Sequence, residues 1–167
     1  MTDNYRFGEV RTAVWNEFEP WLKPGLKKSN IPMGDPTYAK TLTVDRAHFI
    51  YESFVFPKVF PAEWQSPDFK RLLPLEKQDC EEHMTATSWG FMHYQITNPT
   101  ESLMLPVGTV RINNPTLRTG HALCWFLDSQ GVIWLLDGMW YRHPHLRIYR
   151  ASDKLHEDTI LYSVGIP

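Results

Sequence analysis

What this chain lacks narrows it first. Two cysteines among 167 residues are too few for a disulfide scaffold, so reduced thiols in a cytoplasm are the expectation. No apolar run approaches the roughly 20 residues of a spanning helix, and no membrane partner is expected. The opening MTDNYRFGEV has neither the basic start nor the apolar core of a secretory signal. A net charge of −2 offers no broad basic field for nucleic-acid phosphates. Phosphate-cradling glycine loops, EF-hand ligand patterns and internal repeats are missing too. The chain is instead 43% hydrophobic, with seven tryptophans, which excludes disorder and fits a single compact domain over 1–167.

The first part, 1–77, reads as short helices tied by proline loops, without a strand pattern. Val10, Val14, Trp15, Phe18 and Trp21 fall on one helical face, ended before Pro24-Gly25. Lys23, Lys27 and Lys28 read as a solvated patch. Thr43 or Asp45 is placed to cap a helix that turns Phe49, Ile50, Phe54 and Val55 inward and stops at Pro57. Ser66-Pro67 signals another short helix. A central helix is predicted over 78–97, broken by Asn98-Pro99. Residues 104–167 then change to short β-branched and aromatic runs, predicting a meander of about five antiparallel strands. The class is α+β.

Three residues in this frame suggest chemistry. Cys80 opens the central helix behind Asp79, with Glu82 completing a capping-box spacing. Free N–H groups there favour a thiolate and can donate to an oxyanion, whereas Asp79, Glu81 and Glu82 work against the thiolate. His121 heads the apolar strand HALCWFLD, and Asp137 ends the next strand beyond the turn Ser129-Gln130-Gly131. That hairpin predicts residues 121 and 137 nearly opposite each other, with the carboxylate orienting the imidazole. Nucleophile, base and orienter together imply acyl transfer at an amide or related carbonyl. Taken singly, each has a blander reading: a buried inert thiol, a core histidine, and the Asp-Gly of a turn.

The runs DCEEH and GHALCWFLDSQGVIWLLD resemble the papain-like cysteine peptidase clan in its transglutaminase-like strand arrangement. The resemblance is to the protease domain at the C-terminal end of a mushroom agglutinin and to related small phage-borne domains. It covers roughly residues 66–150 and implies Cys80 as nucleophile, His121 as base and Asp137 as third member, acting on a protein or peptide substrate. No cofactor is required by it, although the agglutinin domain's calcium dependence implies a calcium option whose ligands do not align here. Two departures stand out. Gly138-Met139 follows Asp137 where the family often has Pro-Gln, and Pro74 occupies the position of the papain-type oxyanion glutamine, leaving Gln78 as the nearest substitute. An inactive binding or inhibitory protein on the same scaffold is therefore the alternative, with Trp89, Trp125, Trp134 and Trp140 as packing or contact surface.

Two rival constellations rank lower. Cys80-x-x-His83 and His121-x-x-Cys124 have zinc-like spacing, but residues three apart on a strand point to opposite faces. His83 reads instead as a helix-surface histidine. Arg142, His143, His145, Arg147 and Arg150 lie among aromatics in a pattern that suits single-stranded nucleic acid, yet an edge strand with a solvated face explains them more simply.

Overall fold

The computed structural model describes residues 4–26, 38–59, 80–98, 107–115, 119–137, 147–155 and 157–165. The Ser66-Pro67 helix, Lys27, Lys28, Gln78, Asp79, Trp140, Arg142, His143 and His145 lie outside these residues.

Two short strands appear in the first part, where no strand was expected. β1 (Asn4–Arg6) pairs antiparallel with β2 (Tyr38–Lys40). Three residues are too few to display a period of two, so alternation could not reveal them. Helix α1 (Phe7–Phe18) follows and buries Val10, Val14 and Phe18 at i, i+4, i+8. Trp15 and Trp21 are only half-buried. A 3-10 turn through Pro20 ends the helix, and Lys23 N–H then donates to the Leu161 carbonyl at 2.9 Å.

Helix α2 (Val44–Ile50) starts at Thr43, whose hydroxyl accepts from the Arg46 N–H at 3.1 Å. It does not stop before Pro57. A π-helical turn (Tyr51–Val55) leads into helix α3 (Phe56–Val59), which contains that proline. The wider turn relieves the clash an α-helical proline makes with the carbonyl four residues back. Ala47, Ile50, Tyr51 and Val55 point inward, while Phe49 is 53% exposed, contrary to expectation. Phe49 instead lies under the Arg46 guanidinium, 4.7 Å from ring centre to charge.

The central helix, α4 (Cys80–Thr97), ends where Asn98 returns both its backbone N–H and its side-chain amide to the Tyr94 carbonyl. A Cβ on Gly90 would sit 2.4 Å from Val55 Cγ1, so only glycine permits this approach of α4 to the π turn.

All five later strands are present: β3 (Val107–Asn114), β4 (Thr119–Leu127), β5 (Ile133–Asp137), β6 (Arg147–Arg150) and β7 (Ile160–Gly165). They form one antiparallel sheet in the order β6-β5-β4-β3-β7. This is not a simple meander, because β7 crosses to the far edge and pairs with β3 after a short helix α5 (Ala151–Lys154). Both faces of the sheet are covered. Ala122, Cys124, Phe126 and Leu136 pack with α2, the π turn and α4, whereas Leu123, Trp125, Leu127 and Leu135 pack with α1. Burial on both sides explains why 122–127 is continuously apolar. Trp125 donates its indole N–H toward the Thr109 carbonyl at 3.2 Å and the Gly165 carbonyl at 3.1 Å, tying β4 to β7 across β3.

Candidate active site

Cys80 is the first residue of α4, half-buried, where the helix start meets the mouth of β4. The Ala122 N–H donates to Cys80 Sγ at 3.3 Å, which places the sulfur beside His121 in the chain. An N–H directed at sulfur favours the charged thiolate. The carboxylate beside it is partly diverted, since Glu81 pairs with Arg111 at 3.4 Å. Arg111 comes from β3, directly opposite Ala122.

His121 Nε2 lies 2.9 Å from Asp137 Oδ2. The two side chains are 12% and 3% exposed, so water screens this contact little. Burial alone lowers the imidazole pKa. Hydrogen bonds to Asp137 and Cys80, and the charges of both, outweigh burial and raise it to about 9. With Nε2 taken by Asp137, the buried Nδ1 is the remaining ring nitrogen. The Asp137 carboxyl is raised by burial, yet His121, Lys154 and His83 together hold it below the usual carboxylate range. The structure thus brings Cys80, His121 and Asp137 together: Asp137 bonds His121, and the N–H of the next residue, Ala122, donates to the Cys80 sulfur.

The strand pairing differs from expectation in one respect. Cys124 opposes Leu136, so continuing the register sets Asp137 opposite Leu123, two residues from His121. The contact is diagonal, within the reach of an imidazole and a carboxylate.

His83 is not on the surface. It is 3% exposed, and its Nε2 meets the Tyr51 hydroxyl at 3.0 Å. Neither residue of this pair stood out as functional. The signal for His83 was its place in the row His83, Thr87, Gly90, Tyr94, all of them buried. Tyr51 sits on the row Ala47, Tyr51, Val55. Burial, then Cys124, Asp137 and Glu52, push the Tyr51 hydroxyl well above its ordinary pKa, so it stays protonated.

The zinc-like spacing does not converge. His83 turns to Tyr51, and Cys124 Sγ donates to the Met84 carbonyl at 3.3 Å. Burial pushes the Cys124 thiol up to about 12, leaving it a poor nucleophile. Among the described residues no cluster of three or more His, Cys, Asp or Glu side chains could hold a metal ion, so the calcium implied by the resemblance finds no ligand set there. No helix among them is long and apolar enough to cross a membrane.

The tryptophans divide. Trp125 is fully buried, Trp134 donates to Asp128 Oδ2 at 2.8 Å, and Trp89 is 56% exposed. Trp89 helps line a groove of about 580 Å³ with Val59, Ala86, His93 and Arg111. None of Cys80, His121 and Asp137 lines it. Arg147 and Arg150 lie exposed on the edge strand β6.

Compared with protein-family models, curated proteins and solved structures, the chain matches none of them.

Proposed function

We propose that this protein is a cysteine-dependent hydrolase or acyltransferase with a papain-like arrangement, acting on an amide or peptide bond. The observation that supports the reading best is the His121 imidazole, bonded to Asp137 at 2.9 Å, with the N–H of the next residue, Ala122, donating to the Cys80 sulfur at a helix start. A raised imidazole pKa favours imidazolium at neutral pH, and its charge stabilises a neighbouring thiolate.

In this mechanism Cys80 Sγ attacks the carbonyl carbon, forming a C–S bond while the carbonyl π pair moves to oxygen. Backbone N–H groups of the first turn of α4 are the donors available to that oxyanion, and Gln78 is the side-chain candidate for the same role. Collapse expels the amine, which takes a proton from His121 Nδ1. Water or an acceptor amine then attacks the thioester. His121 removes its proton, and the Cys80 thiolate leaves. Asp137 stays ionised throughout, holding the ring orientation and balancing the imidazolium.

The test is covalent labelling with an epoxide or acyl electrophile, followed by mass spectrometry of the modified peptide. Saturable modification at Cys80 that disappears in His121→Ala supports the reading. Folded protein that resists labelling at Cys80 overturns it in favour of a binding or inhibitory protein on the same scaffold.

A further inference from the structure

Cys80, Glu81, Arg111 and Ala122 close a ring of contacts that the mechanism above does not use. Ala122 gives its N–H to Cys80 Sγ at 3.3 Å. Arg111 stands directly opposite Ala122 in the β3–β4 pairing. Its Nε meets Glu81 Oε1 at 3.4 Å, and Glu81 follows Cys80 on α4. We propose that Arg111 is a positioning residue, which holds the Glu81 carboxylate off the Cys80 sulfur and ties the start of α4 to the β3–β4 pair. This rests on the reading of Cys80 as the nucleophile.

Geometry carries the proposal. β3 and β4 pair without a break from Val107–Phe126 to Asn114–Thr119, so the sheet side of the ring, Arg111 and Ala122, is rigid. On the other flank of β3 the register with β7 shifts between Arg111, which faces Ser163, and Ile112, which faces Leu161. A bulge of this kind raises the local twist and re-aims side chains. It falls at the residue whose side chain leaves the sheet to meet α4. On the helix side two contacts complete the ring, the N–H to sulfur and the ion pair. Within this ring, losing the ion pair leaves a single N–H to hold the sulfur against the sheet.

The charge balance around the thiol gives the ion pair its role. The titratable and charged groups near the sulfur are Glu81, Glu82 and His83 on α4, Arg111 on β3 and His121 on β4. His83 is taken up with Tyr51 at 3.0 Å, and His121 with Asp137 at 2.9 Å. Arg111 is the group among them that stays cationic at every working pH. A carboxylate close to a thiol disfavours the thiolate, and a guanidinium that engages the carboxylate reduces that effect. Arg111 and Glu81 are 50% and 56% exposed, so their pair adds little to folding stability. Its importance lies in where it holds the carboxylate.

The test is the pH profile of Cys80 alkylation by a small haloacetamide, measured on the full chain. In Arg111→Gln the midpoint should rise and the rate at neutral pH should fall about twofold or more. A merely structural contact would lower the melting temperature and leave the midpoint in place. In a Glu81→Gln background the same Arg111 change should have less than about half that effect, because the carboxylate it restrains is gone. A profile unmoved in folded Arg111→Gln, or shifted equally in both backgrounds, overturns the proposal. Should Arg111→Gln fail to fold, Glu81→Gln alone decides: its midpoint should fall below wild type, and an unmoved one overturns the proposal. Wild-type Cys80 that resists every electrophile overturns the triad reading and this proposal together. Ready alkylation indifferent to Arg111 overturns the proposal alone.

Discussion

Asp137 reaches His121 on the diagonal of the β4–β5 hairpin, with Oδ2 2.9 Å from Nε2, rather than from the facing position. Asp137 falls opposite Leu123, inside β4, and reaches back along the strand to the ring. The carboxylate therefore governs both the charge and the direction of the imidazole.

Asp137→Asn keeps the size of the side chain and removes its charge. His121 loses the partner that offsets its burial, so its pKa falls from about 9 toward or below the ordinary 6.5. Cys80 alkylation at neutral pH should slow by roughly 10²-fold or more. Stopped-flow alkylation with a small haloacetamide measures this directly. A rate within a factor of two of wild type would show that the carboxylate is only structural.

The same ion pair makes stability depend on pH, and the sign follows from the two shifts. His121 has a raised folded-state pKa, so its contribution is complete below about 6.5 and is lost as pH rises through about 9. Asp137 has a depressed one, so its contribution is present above the ordinary carboxylate range and is lost as pH falls through its lowered folded value. The two describe one interaction, worth on the order of 3 kcal/mol on the alkaline side. Urea unfolding at pH 6.5 and pH 9.5 should show His121→Gln markedly less pH-dependent than wild type across that interval. Parallel curves would contradict the assignment.

The two thiols should react on different time scales. Cys124 is 1% exposed with a thiol pushed up to about 12, so it reacts only on unfolding. Thiol titration should count one fast group in native protein and two in denaturant. Cys124→Ala should leave the fast group unchanged while lowering stability by about 1 kcal/mol. A second fast thiol in native wild type would refute the burial of Cys124.

Gly90→Ala tests the packing of α4 on the π turn. Its new Cβ meets Val55 Cγ1 at 2.4 Å, and overpacking of this kind costs about 1–3 kcal/mol. Val55→Ala removes the obstructing methyl, so the double variant should be more stable than the two single losses add up to. Strictly additive melting shifts would show that the helix moves aside without penalty.

Much of this arrangement was legible in the chain, for reasons that differ by region. Val10, Val14 and Phe18 repeat at helical spacing, and 122–127 is apolar enough to be a strand buried on both faces. Cys80 at a helix start, His121 at a strand mouth and Asp137 at a strand end were readable because each setting has its own local signature. What escaped depends on contacts distant in sequence. The π turn that carries the helix on to Pro57 has no signature in the sequence, and Phe49 lies off the buried row Ala47, Ile50, Tyr51, Val55. His83 passed for a surface residue because imidazole tolerates both settings, and its hydroxyl partner lies 32 residues earlier. The crossing of β7 to β3 is likewise set by global closure of the sheet, not by turn chemistry.

The indole of Trp125 has a consequence for how the chain is born. Its N–H looks toward the Gly165 carbonyl as well as Thr109, and the strand bearing Gly165 is the last of the sheet to leave a ribosome. Until that segment emerges, β3 presents a bare edge, and Leu22 and Lys23 have no Leu161 to dock on. An unpaired strand edge of this kind is a template for pairing with another chain, and β7 closes it.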